Sequence, residues 1–251
     1  MVIITMCGRY AVFTEEENQE IREIINDINE RFKNEAVKAS LGSCETSKYS
    51  ERNILKGGEV FPTDIAPVIT LNENNERVVN LFKWGFPHFK QPSGTIINAR
   101  SESLDQKPTF SKLLLTKRCL IPASGFYEWK LSEDAFQERI PYIGDGKIEE
   151  KLVGKPTGKK DKYLIRCLDN SLFYMAGLYN VFCDSNGINY FAFVIITTDA
   201  NREMSEIHNR MPVILNRDSQ KIWMENDLKS IEKIKELLTP YKDPLIMRKV
   251  G

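Results

Sequence analysis

The chain has 251 residues, of which 41% are hydrophobic and 28% are charged, so it holds enough apolar sequence for a large core. Its 35 basic residues balance 35 acidic ones, and this zero net charge disfavours binding of nucleic acid by bulk electrostatics. No apolar stretch is long enough for a membrane span, and the five cysteines include no C-x-x-C pair. We therefore expect no membrane, no disulfide framework, no metal, no cofactor and a cytoplasmic protein.

The first quarter of the chain predicts a strand, a surface helix and a polar loop. Residues 7–13 are typical of a short strand. Thr14 and Glu17 then form a capping box, and apolar residues at helical spacing extend the helix to about residue 34. Residues 35–59 are polar and predict a loop or an insert.

The middle of the chain alternates predicted strands with one helix. The strands are expected over 68–70, 77–84 and 118–122 and in the run around Glu128, with a hairpin tip at 72–75 and a helix over 110–116. Residues 131–162 become polar and rich in lysine. We interpret them as an exposed insertion within the domain.

The last part of the chain predicts three strands and two helices. The strands are expected over 163–167, 173–179 and 190–198, and the helices over 201–207 and 228–238. Strands and helices mix without βαβ regularity. The pattern therefore predicts an α+β fold: a single domain over residues 1–251, with a strongly curved, mixed but mostly antiparallel, barrel-like sheet surrounded by helices.

Cys7 has a special chemistry if the chain is processed so that this residue comes first. Its α-amine and its thiol would then lie on adjacent carbons, with reference pKa values of about 7.7–8.0 and about 8.5. The amine can form a Schiff base with an aldehyde, and the thiol can then close a five-membered thiazolidine ring. No other placement of a cysteine offers this reaction.

Two further residues are candidates for proton transfer. His208 is one of two histidines, and its reference pKa of about 6.5 suits a general acid or base, although a structural, hydrogen-bonded histidine at a helix end is the alternative. Glu128 lies between Tyr127 and Trp129. If it is buried there, desolvation raises its pKa, whereas an outward-facing carboxylate is equally compatible with the pattern.

Polar and aromatic residues in the middle of the chain suggest a nucleic-acid surface. Asn98 and Arg100 point to one side of an extended segment and could hold a phosphate or a sugar, or form a structural loop network. Trp84 and Phe86 could stack on a base or belong to the core.

Six motifs occur in order along the chain. They are Cys7-Gly8-Arg9, Trp84-Gly85, Asn98-Ala99-Arg100-Ser101-Glu102, Arg118-Cys119-Leu120-Ile121-Pro122, Gly125-Phe126-Tyr127-Glu128-Trp129 and His208-Asn209-Arg210-Met211-Pro212. Together they resemble the SRAP family, the abasic-site processing proteins first named SOS-response-associated peptidases. The resemblance runs from Cys7 to about Trp223.

The resemblance implies a protein that captures abasic sites in single-stranded DNA as a covalent DNA–protein crosslink, and that also acts as a lyase through the Schiff base. We expect it to act as a monomer. Cys7 would form the thiazolidine, Asn98 would hold the opened sugar, and Glu128 and His208 would move protons. The positions implied for DNA contact are Arg9, Trp84, Arg100, Arg210 and Thr197, the last of which also supports His208.

Two features depart from the family pattern. Asp64 stands where the family often has an asparagine before Ala-Pro, which is less favourable to a phosphate. Residues 1–6 precede Cys7, and while they remain the Cys7 nitrogen belongs to a peptide bond. A true start at Met6, removal by autoproteolysis and a chain that never matures are the three explanations, and we favour the first two.

Two other functions stay open at this point. Cys7 could attack a carbonyl in a thiol peptidase or amidohydrolase, with His208 as its base. Alternatively, the chain could bind single-stranded DNA without catalysis, in which case Cys7 would be dispensable; the zero net charge disfavours this reading.

Overall fold

The structure is a computed structural model that describes residues 7–12, 23, 58–88, 91, 94–132, 135, 138–144, 147–153, 157–169 and 172–250. Of the helix predicted up to residue 34, only Glu23 is described, and it is helical; the rest of that prediction lies outside the described residues.

The described residues form strands and short helices that we number in chain order. The strands are β1 (Arg9–Val12), β2 (Gly58–Val60), β3 (Ile65–Leu71), β4 (Arg77–Trp84), β5 (Phe86–Pro87), β6 (Thr95–Ile96), β7 (Asn98–Arg100), β8 (Arg118–Ala123), β9 (Gly125–Leu131), β10 (Glu138–Gly144), β11 (Lys147–Val153), β12 (Lys160–Cys167), β13 (Phe173–Cys183), β14 (Asn189–Asp199), β15 (Arg210–Pro212), β16 (Ile214–Leu215) and β17 (Leu245–Lys249). The helices are α1 (Pro108–Thr116), α2 (Arg217–Met224) and α3 (Ile231–Glu236).

A closed barrel of five strands forms the centre of the fold. Its order is β14-β4-β3-β8-β13, and β13 pairs with β14 to close it. Only the β14–β4 contact in this ring is parallel, while the others are antiparallel. Apolar side chains such as Leu120, Ile121 and Phe193 are completely buried in it. The predicted α+β class with a curved, barrel-like, mostly antiparallel sheet is confirmed.

A second, fully antiparallel sheet carries the N-terminal motif. Its order is β17-β12-β9-β1-β2, so β1 lies between β2 and β9. Short strands extend the barrel at its edge: β7 pairs in parallel with β14, and β15 pairs with the end of the same strand. Cys7 therefore lies at the start of a strand of the second sheet, whereas His208 lies beside the barrel.

Several sequence predictions differ from the structure. Strand β2 begins at Gly58, inside the loop predicted over 35–59, where the polar composition concealed it; residues 35–57 of that prediction lie outside the described residues. The insertion over 131–162 contains the antiparallel pair β10–β11. The helix expected over 201–207 is only a 3-10 turn at Met204–Glu206. The closing helix is shorter than predicted, and α2 and β17 were not predicted. None of the described helices is long and apolar enough to cross a membrane.

Gly177 of β13 packs closely against β8 and provides a test of the packing. A Cβ atom there would lie 2.4 Å from Ile121 Cδ1 and 3.0 Å from Cys119 Sγ. We expect Gly177→Ala to lower the free energy of unfolding by about 1–3 kcal/mol, because overpacking forces neighbouring side chains to shift. Val181→Thr, at a 38% exposed position of the same strand, should change it by less than about 0.5 kcal/mol. Denaturant unfolding of both variants measures the difference; equal stability would contradict the packing argument.

Candidate active site

Cys7 and Glu128 are in direct contact in the interior. Cys7 lies just before β1, is fully buried and has a φ of +39°, in the left-handed region that a cysteine rarely adopts. Arg9 of β1 pairs with Tyr127 of β9 in an antiparallel register, so the residues just before Arg9 lie beside Glu128, which follows Tyr127. The Cys7 main-chain N–H donates to Glu128 Oε1 over 2.5 Å, although 121 residues separate them.

Burial dominates the electrostatics of this pair. Glu128 is only 2% exposed, and its desolvation raises its pKa to about 7 even though hydrogen bonds from the main-chain N–H groups of Cys7 and Trp129 oppose the shift. Burial also raises the pKa of the Cys7 thiol well above its ordinary value, and the charge of Glu128 raises it further. Of the two alternatives that the sequence left open for Glu128, the buried carboxyl is the one found. It can therefore hold or release a proton near neutral pH.

A cationic and aromatic surface flanks Cys7. We call it the Arg9 cluster: Arg9, Lys162 and Glu59, with the rings of Phe61, Tyr127 and Trp129. Arg9 Nη1 lies 2.8 Å from one oxygen of Glu59, and Lys162 Nζ lies 2.6 Å from the other. Arg9 stands 4.2 Å over the Phe61 ring and 5.2 Å from the Trp129 ring, while Lys162 lies 4.0 Å over Tyr127. One carboxylate thus neutralises one of two adjacent cations.

The remaining candidate residues gather at the edge of the barrel. Asn98 lies opposite Ile195, and Arg100 lies opposite Thr197, in the parallel β7–β14 pair. Asn98 is half-buried and Arg100 is exposed, so both belong to a region that solvent reaches. Thr197 is completely buried and lies opposite Pro212 of β15.

His208 is half-buried in the turn that leads into β15. Its Nδ1 accepts a hydrogen bond of 3.1 Å from the main-chain N–H of Arg210, which places the proton of the neutral ring on Nε2. Burial lowers the pKa of His208, so the neutral form prevails at physiological pH. The ring is therefore hydrogen-bonded through Nδ1, as a structural histidine would be, and its neutral form carries the proton on Nε2.

The side chain of Arg210 is turned inward. Its guanidinium is paired with Glu102 at 2.5 Å and with Asp199 at 2.6 Å, and it also donates to the Thr197 carbonyl oxygen. The DNA-contact role that the resemblance implies for Arg210 and Thr197 stays a prediction.

Trp84 lies between the two groups of candidate residues. It is fully buried, its ring meets Tyr10 of β1 edge-on at 5.1 Å, and its Nε1–H donates to the carbonyl oxygen of Ile97, next to Asn98. Gly85 follows with a φ of +116°, and a Cβ there would lie 2.2 Å from Thr95 Cγ2. Stacking of Trp84 on a base would require its exposure, and that role stays a prediction.

Lys160 relates the two halves electrostatically. Its positive charge acts to lower the pKa of both Glu128 and His208. Sequence reasoning missed Lys160, Lys162 and Glu59, because they stand outside the recognised motifs or in the insertion. Glu102 belongs to one of the six motifs, but no role was predicted for it. An acidic residue so close to arginines of a predicted site could have indicated an ion pair.

No group of three or more histidine, cysteine, aspartate or glutamate side chains in the described parts of the chain is arranged to hold a metal ion. The candidate residues described above offer a buried acid, a neutral imidazole and the nitrogen and thiol of one cysteine.

Comparison with known proteins gives relatives over nearly the whole chain. The abasic site processing protein YoqW of Bacillus subtilis is 30% identical over 245 residues, which cover 94% of this chain and 88% of that protein. HMCES of Xenopus tropicalis, also named an abasic site processing protein, is 29% identical over 61% of this chain and 47% of its own length.

A crystal structure of a Bacteroides thetaiotaomicron protein has the same fold. It superposes with a TM-score of 0.64 at 24% identity and covers 98% of this chain and 92% of that one. The family described as SOS response associated peptidase (SRAP) matches residues 6–251, and the chain belongs to that family.

Proposed function

We propose that the protein traps abasic sites in single-stranded DNA as a covalent crosslink through Cys7. The Cys7 amine attacks the aldehyde carbon of the ring-opened sugar, and the resulting carbinolamine loses water to form a Schiff base. The thiol then adds to the same carbon, its proton passes to nitrogen, and a thiazolidine results. Elimination from the Schiff base would give the lyase reaction. Action as a cytoplasmic monomer remains a prediction from the sequence.

The observation that carries this proposal is the 2.5 Å contact between the Cys7 nitrogen and Glu128. The nitrogen that would become the α-amine points at a buried carboxyl whose pKa is about 7. Ring opening and loss of water both need a proton delivered to an oxygen, which a protonated carboxyl supplies. His208, with its neutral ring, and Asn98 are the further groups that we assign to proton transfer and to the sugar.

The raised pKa of the Cys7 thiol bears on the alternative function. A thiol peptidase needs a thiolate, whereas burial and the negative charge of Glu128 both disfavour one. Reaction through the amine first, with the thiol closing the ring afterwards, does not need the thiolate at the first step. The geometry therefore favours aldehyde capture over peptide cleavage in trans.

Removal of residues 1–6 is a separate part of the proposal. The left-handed φ of Cys7 strains the residue that follows the Met6–Cys7 peptide bond, and Glu128 lies where it can protonate the departing nitrogen. Cys7 Sγ would attack the Met6 carbonyl carbon as the thiol proton passes through Glu128 to the departing nitrogen, so that a thioester and a free amine form without a free thiolate. Water would then release the peptide and restore the thiol. Autoproteolysis by this route would expose the aminothiol.

Cys7→Ala should abolish the stable adduct, because neither the ring nor the thioester can form. We expect protein that begins at Cys7 to gain the mass of an abasic oligonucleotide less one water, and to gain nothing from intact DNA. Cys183→Ala, which removes an exposed thiol, should crosslink like the parent. Intact mass spectrometry measures both. Equal crosslinking by Cys7→Ala, or by protein that still carries residues 1–6, would contradict the proposal.

Glu128→Gln should slow adduct formation by roughly 10²–10⁴-fold below pH 7, since it removes the proton donor. In the parent the contribution of Glu128 falls as pH rises and the carboxyl ionises; its pKa is about 7 beside the peptide N–H, and an α-ammonium at Cys7 would lower it. The rate of adduct formation, measured from pH 5 to pH 9, should show this decrease in the parent and not in the variant. Because the folded-state pKa is raised, ionisation of Glu128 destabilises the parent as pH rises, so the variant should be no less stable at pH 8. An unchanged pH profile would exclude Glu128 as the proton donor.

Glu59→Gln should strengthen binding of intact single-stranded DNA, because it leaves Arg9 and Lys162 without their shared counter-charge. We expect a severalfold lower Kd and a steeper dependence of Kd on salt, by about one phosphate contact. Asp218→Asn, which removes the acid of an exposed ion pair with Lys221, is the matched control and should have no such effect. Fluorescence anisotropy over a salt series tests this; equal slopes would show that the Arg9 cluster does not meet the DNA backbone.

A further inference from the structure

The second sheet has one face in the core and one face outside it. Tyr10 of β1 pairs with Phe126 of β9, and Phe126 pairs with Ile165 of β12; all three side chains are completely buried. Because successive side chains of a strand alternate between the two faces of a sheet, the residues next to these three belong to the opposite face. We call that opposite face the outer face.

One row of directly paired residues crosses the outer face. Arg9 of β1 pairs with Tyr127 of β9, which pairs in turn with Leu164 of β12. Leu164 pairs with Arg248 of the edge strand β17, and Arg248 is exposed. Neighbouring strands lie about 4.8 Å apart, so the row is roughly 15 Å long. It begins two residues after Cys7 and leads away from it across the sheet.

The outer face has an excess of positive charge. Among its described residues, one carboxylate, that of Glu59, stands against five cations on β1, β12 and β17: Arg9, Lys160, Lys162, Arg166 and Arg248. Glu59 is already paired with Arg9 and Lys162. Lys160 and Arg248 are exposed to solvent. The net charge of this face is therefore complementary to a polyanion, although the whole chain is neutral.

Gly125 keeps the middle of the outer face low. A Cβ atom there would lie 2.7 Å from Leu164 Cδ1 and 3.3 Å from Arg166 Cγ, so side chains of β12 lie across the glycine. The partner of Gly125 on β1 is Ala11, another small residue. Arg166 donates through Nε to the Ser124 carbonyl oxygen over 3.1 Å, which keeps this side chain against the sheet. Small residues and flat-lying side chains favour the binding of an extended strand on this face.

We propose that the outer face binds the undamaged single-stranded DNA on one side of the abasic site, along the row from Arg9 to Arg248. Phosphates of this flank lie against the cations of the row. At the Cys7 end, the exposed ring of Phe61 and the half-buried ring of Trp129 suit stacking with unpaired bases, which a duplex does not offer. The inference rests on the proposed function for the kind of strand and adds where its flank binds. One or two phosphate contacts raise affinity only severalfold, so binding of intact DNA stays weak.

Arg248→Gln removes the cation at the far end of the row, and Lys249→Gln is its matched control. Lys249 is the next residue of β17, but it belongs to the opposite face and forms an ion pair with Asp161 at 2.8 Å. We expect Arg248→Gln to raise the Kd for intact single-stranded DNA about threefold at low salt, and to lower the slope of log Kd against log salt by about 0.7, as for one phosphate contact. Lys249→Gln should leave this slope unchanged.

Fluorescence anisotropy over a salt series measures both variants. Arg248→Glu, which reverses the charge, should weaken binding more than Arg248→Gln does. Equal Kd values and slopes for Arg248→Gln and Lys249→Gln would mean that only the net charge of the protein matters, and would overturn the inference. An equal loss of affinity for duplex DNA in Arg248→Gln would also overturn it, because the outer face would then not select a single strand.

Abasic strands with a single flank test whether the outer face holds one side of the lesion. Two oligonucleotides carry the abasic sugar near the 5′ end or near the 3′ end, so that each has only one long flank. Because Cys7 fixes the position of the sugar, we expect Arg248→Gln to slow capture at subsaturating DNA severalfold for one of the two strands only. Equal effects on both strands, or no effect on either, would overturn the inference. If the parent captured neither strand, the proposed function would fail, while the Kd comparison with intact DNA would still decide the role of the outer face.

Discussion

The hydrogen bond from the Cys7 N–H to Glu128 sets the conditions for the rest of the site. It joins a fully buried residue to a carboxyl that is 2% exposed, so Glu128 has little water to solvate its charge. The protein therefore loses stability as pH rises from the ordinary pKa of a glutamate to the folded-state pKa of about 7, since over this interval the unfolded chain ionises the carboxyl and the folded chain does not. Retaining an acid at this cost is typical of sites where chemistry, and not packing, selects the residue.

Trp84 packs between the two sheets and contacts segments that carry candidate residues on both. Its ring packs on Tyr10, two residues beyond Gly8, and its indole N–H bonds to the carbonyl beside Asn98. It also stacks on Phe193 of the barrel strand that continues to Thr197. A single large side chain thereby relates the Cys7 segment to the strands of the other candidate residues. Loss of that ring would remove contacts on both sides and leave a cavity between them.

Local pattern predicted the barrel strands well, because alternation and turn residues are properties of short segments; β4 was predicted to the residue. Glu128 was found by its aromatic neighbours, but the pattern could not decide which face it takes, since that depends on how β9 pairs with β1. Strand β2 was missed for a related reason: Gly58–Val60 is ordered by pairing with β1 and has no apolar pattern of its own. The inward turn of Arg210 depends on carboxylates 11 and 108 residues away, which no local pattern reveals.

The distribution of charge connects these features. Arg9 and Lys162 share Glu59, and Arg210 is enclosed by Glu102 and Asp199, so several cations near the site are compensated within the fold. Such a surface gains little from counterion release, so we expect weak binding of undamaged DNA. In the proposed reaction, strong ionic affinity is not needed, because selectivity would come from the covalent bond to the aldehyde. Weak attraction to intact strands would then be an advantage, since it would leave the protein free to reach the rare sugar that can react.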